Sequence, residues 1–112
     1  MYIYNAKLDR VVDGDTVDAV VDLGFDTWKF IRVRLVGINT PESRTRDLEE
    51  KARGIASKIR LEELLENGQF TLQSMGVGKF GRCLGIIYVD KINVNKTLIT
   101  EGHAVEYHGG KR

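Results

Sequence analysis

At 112 residues the chain is long enough for one hydrophobic core and too short for two, so a single domain over residues 1–112 is expected. Its composition, 42% hydrophobic and 29% charged with one proline, excludes a disordered or fibrous chain, and no apolar run approaches the length of a bilayer span. A net charge of +1 provides no bulk attraction for a polyanion, and a lone cysteine, Cys83, excludes an internal disulfide and a cysteine-based zinc site.

In chain order, residues 6–12 (AKLDRVV) and 16–23 (TVDAVVDL) are rich in β-branched residues, and Asp13-Gly14-Asp15 between them reads as a hairpin turn. A second turn near Gly24-Phe25-Asp26 leads into KFIRVRLVGI, where Ile31, Val33 and Leu35 alternate with Arg32 and Arg34. The two arginines therefore share one face of a half-buried strand. Trp28 is expected to pack on this hairpin. From about Asp47 to Glu66 the period changes: Ala52, Ile55, Ala56 and Ile59 form a helical apolar stripe that Leu64 and Leu65 extend, with Asn67-Gly68 as the stop. Two further strands follow around QFTLQSM and RCLGIIYVD, joined by the glycine-rich turn GVGKFGR, and a short helix is expected from Asn95 to Glu101. Three strands, a long helix, two strands and a short helix fit a five-stranded, partly open OB barrel better than a ferredoxin-like sandwich, which needs a helix between its first two strands. Cys83 reads as a small buried apolar residue. The opening Met1-Tyr2-Ile3-Tyr4 lacks a secretion signal, so a soluble chain is expected, cytoplasmic, or exported if a leader precedes it.

The stretch LVGINTPES, residues 35–43, holds the only proline and admits two readings. In one, Thr40 is a helix N-cap, Pro41 the first helical residue, and Glu42 faces the positive end of the helix dipole. In the other, the strand end aims oxygen ligands and a base at one point, with Pro41 restricting Thr40 to an extended conformation.

Four pieces taken together, DGDTV (13–17), VRLVGINTPE (33–42), the amphipathic helix, and GKFGR (78–82) leading into CLGIIYV, resemble the staphylococcal nuclease, or thermonuclease, family in order and spacing over roughly residues 6–107. The resemblance implies an OB-fold barrel that binds one Ca²⁺ and hydrolyses phosphodiester bonds of DNA and RNA, single strands preferred, acting as a monomer without a membrane partner. It implies Asp15, Asn39 and the Thr40 carbonyl as metal ligands. Arg34 and Arg82 would grip the reacting phosphate, and Glu42 would be the general base beside the attacking water. Lys79 and Tyr107 would contact substrate, Tyr107 after a one-residue gap. The residue types suit this chemistry. Ca²⁺ takes oxygen donors, a guanidinium offers paired donors to phosphate oxygens, and a carboxylate can orient water. Asp13 and Asp15 are also ordinary turn formers, and Arg34 and Arg82 ordinary exposed cations.

The sequence departs from the family pattern in four places. Asn39 stands where most active members have aspartate, which lowers the direct anionic charge of the site. Phe80 replaces a tyrosine, Gly78 replaces an acidic residue, and the chain ends at Arg112, before the further helix of typical members. Attenuated activity is therefore one expectation. The alternative is a catalytically inactive nucleic-acid-binding module that uses Arg34, Arg82 and Lys79, and a third is a protein-interaction scaffold.

Overall fold

The computed structural model describes residues 2–77 and 82–107. Its elements run β1 (Tyr2–Asp13), β2 (Thr16–Asp22), β3 (Trp28–Leu35), β4 (Ile38–Asn39), α1 (Leu48–Leu64), β5 (Gln69–Val77), β6 (Cys83–Val89), β7 (Ile92–Asn93), α2 (Val94–Thr100) and β8 (Val105–Glu106). The five long strands follow the order β3-β2-β1-β5-β6, each antiparallel to its neighbour. Parallel pairing of β3 with β6, from Val33↔Cys83 to Leu35↔Gly85, joins the two ends and closes the barrel expected from the element order. The short β7 pairs with β6, and β4 pairs with β8 as a separate two-stranded ribbon.

Period-two alternation sends Val17, Ala19, Val21, Val33 and Leu35 into the barrel, where they meet Leu72 and Ile87 and are closed off by Leu61 and Leu65 of the α1 end and Leu98 of α2. The β2–β3 turn is the predicted one. Gly24, Phe25 and Asp26 all take positive φ, and Phe25 at the tip is fully exposed. Trp28 packs less than the sequence implied: the Lys7 ammonium lies 4.8 Å from its ring centroid, yet it remains 44% exposed. Cys83 is half-buried against the core, not buried within it.

Two sequence expectations are corrected. Asp47 caps α1 through its side chain, which accepts the N–H groups of Glu49 and Glu50; Thr40 is not a cap, and Pro41 lies in the loop before the helix. The end of the expected stripe, Leu64 and Leu65, packs on the core, but before it the helix seats a different face. Ile55 and Ile59 are 40% and 50% exposed, and Ala52 and Ala56 are exposed too, whereas Gly54, Ser57 and Leu61 are buried. The cause is close backbone approach. A Cβ on Gly54 would lie 2.4 Å from the carbonyl oxygen of Glu42 and 2.6 Å from the Ser43 nitrogen, and one on Gly14 would lie 2.7 Å from Ser57 Cβ. Small residues thus let α1 press on the β1–β2 turn and the loop that follows β4. Among the described residues, no helix is long and apolar enough to cross a membrane.

Candidate active site

Barrel closure brings the sequence-distant pieces together. The β1–β2 turn presents Asp13 and Asp15, and β3 ends with Arg34 opposite Thr16 on one side and Leu84 on the other. Arg82 immediately precedes β6. The β4–β8 ribbon, helped by donation from the Tyr107 N–H to the Gly37 carbonyl (2.8 Å), holds the segment from Gly37 to Asn39 against the last described residues. Buried Asn95 fixes the other side: its Nδ2 donates to the carbonyls of Val36 (2.9 Å) and Gly85 (3.2 Å), and its Oδ1 accepts the Ile87 N–H (3.2 Å).

The result is an open cleft of about 930 Å³ lined by Asp15, Arg34, Asn39, Thr40, Glu42, Arg82 and Tyr107. Every described site residue expected from the sequence therefore lies on one surface. Lys79, with Gly78 and Phe80, falls outside the described residues.

Asp15 is the centre of the polar network. One of its carboxylate oxygens accepts the Thr16 hydroxyl (3.0 Å); the other accepts the Thr40 N–H (3.2 Å) and lies 3.4 Å from Arg34 Nη2. Arg34 is only 15% exposed and is clamped to the loop, donating to the carbonyls of Leu35 (2.6 Å) and Ile38 (2.9 Å) and to Asn39 Oδ1 (3.3 Å). Its Nη2 thus joins the Asp15 carboxylate and the Asn39 amide oxygen. The bonds to neutral carbonyl and amide oxygens hold the guanidinium in place without offsetting its charge, while the Asp15 carboxylate partly balances it. Glu42 is exposed at the rim, and its main chain rests on Gly54.

The cleft also contains residues for which the sequence implied no site role. Arg44 and Thr16 line it, and the Ser43 hydroxyl donates to Asp13, whose carboxylate is 4.0 Å from Arg44. A glycine within a predicted helix was the available signal for Gly54, because it costs helix stability and leaves room for another backbone. Among the described residues, no three His, Cys, Asp or Glu side chains cluster as a metal site, so a cation here would depend on Asp15 together with amide and main-chain oxygens. That donor set is hard and neutral apart from one carboxylate, which fits an alkaline-earth ion and not a soft transition metal.

Comparison with known proteins shows the family. The family described as staphylococcal nuclease homologue matches residues 32–112. Endonuclease YncB of Bacillus subtilis (strain 168) is 32% identical over 105 residues, covering 91% of this chain and 47% of that protein. The SPbeta prophage-derived endonuclease YokF of the same organism is 33% identical over 105 residues, covering 91% of this chain and 34% of its own length. An uncharacterized endonuclease of Escherichia coli O157:H7 is 30% identical over 104 residues, with 92% of this chain and 61% of that protein covered. The chain thus spans less than two thirds of the length of each of these relatives. With the family matched across most of its length, the chain belongs to the staphylococcal nuclease homologues.

Proposed function

We propose that the cleft hydrolyses phosphodiester bonds of DNA and RNA, with one Ca²⁺ held by the Asp15 carboxylate, Asn39 Oδ1 and the Thr40 carbonyl. The observation that carries this reading is that Arg34, Arg82, Glu42 and Asp15, from four separate segments, line one cleft. Relatives named endonucleases support it. Bound Ca²⁺ would supply positive charge to a phosphate oxygen and lower the pKa of water. Arg34, held by two main-chain carbonyls, and Arg82 bind the equatorial oxygens of the phosphate as negative charge builds on them. Glu42, at the solvent-facing rim, takes the proton of the attacking water. The water oxygen bonds to phosphorus, the bond from phosphorus to one sugar oxygen breaks, and that oxygen leaves with a proton from solvent. The oxygens that would hold the ion, on Asp15 and Asn39, are the ones Arg34 Nη2 contacts here, so Arg34 would stand beside the ion with its guanidinium available to the phosphate.

A second reading, a nucleic-acid-binding barrel that does not cut, is favoured by Asn39, since the loss of one carboxylate weakens cation binding. One experiment separates the two. Labelled single-stranded DNA and RNA are incubated with the wild type, Asn39→Asp and Glu42→Gln across a Ca²⁺ titration. The nuclease reading expects Ca²⁺-dependent cutting that a chelator stops. Asn39→Asp should lower the Ca²⁺ needed, and Glu42→Gln should slow cutting by roughly 10²–10⁴-fold. Retained binding with no cutting at any Ca²⁺ level selects the binding module. Cutting that Glu42→Gln leaves unchanged comes from another enzyme and removes the proposal.

A further inference from the structure

The outer face of β3 leads away from the cleft in a direction that packing does not explain. The β2–β3 register runs without interruption from Asp22↔Trp28 to Thr16↔Arg34, so Trp28, Phe30, Arg32 and Arg34 stand in one row on one face while Val33 and Leu35 turn inward. Trp28 is 44% exposed and Phe30 59% exposed. Large aromatic rings usually contribute far more by burial than by standing in water, so two in succession on an outward row need another purpose.

The charges beside them complete the pattern. Lys7 pairs with Val20, which pairs with Phe30, so the Lys7 ammonium above Trp28 belongs to the same face. Further along the row, Arg32 and Arg10 both hold the buried Asp18 carboxylate. The bonds use Nε of Arg10 and Nε and Nη2 of Arg32, and the two side chains remain 63% and 44% exposed. Both guanidinium groups therefore keep N–H donors beyond Asp18. Another acid of this face, Asp22, accepts the Gly24 N–H at the hairpin turn, and exposed Asp9 sits in the β1 bulge beside Arg10. Between this face and α1 runs a groove of about 430 Å³ whose lining includes four cations, Arg10, Arg32, Arg44 and Lys58, and one acid, Glu62; Arg44 also lines the cleft, so the two surfaces meet there.

We propose that the outer face of β3 is a track for the single strand that flanks the reacting phosphate, with bases stacked on Phe30 and Trp28 and backbone phosphates on Arg32, Arg10 and Arg44. The inference rests on the nucleic-acid reading of the cleft and adds to it the direction of the strand and a reason for single-strand preference. At about 3.3 Å per residue, Phe30 lies about 13 Å and Trp28 about 20 Å from Arg34, a few nucleotides of stretched chain. A duplex hides its base faces in its own stack; an unpaired strand offers them to the rings. A protein or membrane surface would also accept exposed aromatics. Continuity with guanidinium groups at a phosphate site selects nucleic acid.

Trp28 is the only tryptophan in the chain, so its fluorescence reports on the track directly. In a Glu42→Gln background, an oligothymidylate of about twelve nucleotides, within the range an OB fold covers, is titrated against a thymidine dinucleotide and a duplex. The expected results are quenching of Trp28 by the long strand, its affinity weakened about tenfold or more by Phe30→Ala, and dinucleotide binding unchanged by that substitution. Both rings are exposed, so the variants keep the fold, which circular dichroism checks. Unchanged long-strand affinity in Phe30→Ala, or equal dependence of duplex binding on Phe30, overturns the track. Quenching by lipid vesicles in place of the oligonucleotide also overturns it. Cutting of a dinucleotide by the wild type decides the active-site reading separately: cutting with a Phe30-insensitive long strand sinks the track alone, and neither cutting nor binding sinks both.

Discussion

Replacing Gly54 by alanine sets two effects of opposite sign against each other. Within a helix the change normally stabilises by about 1 kcal/mol, because glycine loses more backbone entropy on folding. Here the new Cβ would stand 2.4 Å from the oxygen and 2.5 Å from the carbon of the Glu42 carbonyl, and 2.6 Å from the Ser43 nitrogen. All three are main-chain atoms, so no rotamer change relieves the overlap. Overpacking of this kind costs about 1–3 kcal/mol, and relief requires the Glu42–Ser43 segment or the helix to move by about 1 Å. The net expectation is a loss of up to about 2 kcal/mol, or a melting temperature lower by up to roughly 10 °C for a domain of this size. Because the displaced segment carries Glu42, cleavage should fall by up to about 10²-fold. Thermal melts followed by circular dichroism, with single-turnover cleavage at saturating Ca²⁺, measure both. Ala56→Gly, exposed on the same helix, is the control and should cost about 1 kcal/mol with activity unchanged. A Gly54→Ala protein that melts higher and cuts normally would show that the contact does not constrain the loop.

Asp18 provides a pH prediction. The Arg32 hydrogen bond, aided by Arg10 and opposed by burial, holds its carboxyl below the usual value of 3.8. The folded state therefore binds this proton less readily than the unfolded chain. The contribution of Asp18 is complete above about pH 4 and is lost as pH falls through the depressed folded value. Asp18→Asn should lower stability by about 1–2 kcal/mol at pH 7, discounted for the exposed arginines. In denaturant titrations the gap to the wild type should shrink below pH 3.8; a gap independent of pH refutes the assignment. Asn95→Ala leaves the Val36 carbonyl and the Ile87 N–H without their side-chain partner and should cost about 2–4 kcal/mol, read as a lower urea midpoint at constant slope. A change below about 0.5 kcal/mol would mean that water replaces the amide.

The sequence by itself determined what is local. Alternation of Ile31, Val33 and Leu35 with Arg32 and Arg34 placed both arginines on one outward face, and Gly24-Phe25-Asp26 and Asn67-Gly68 marked real turns, because strand period and positive φ are properties of neighbouring residues. Where local rules met distant partners, they lost. Thr40-Pro41-Glu42 carries a helix-start signature, but the Thr40 N–H belongs to Asp15, 25 residues earlier, and Asp47 caps the helix instead. The stripe of Ile55 and Ile59 is the more apolar face of α1, yet the helix seats Gly54, Ser57 and Leu61, since how near two backbones may come is a steric matter that periodicity of large side chains does not encode. The resemblance of four sequence pieces to the nuclease family, and not the residue types alone, implied Asp15, Arg34, Glu42 and Arg82 as candidates. Only pairing of β3 with β6, between strands far apart in the chain, set Arg34 opposite Leu84 and in one cleft with Arg82, because a cleft is made by the closure of a barrel and not by any segment of it.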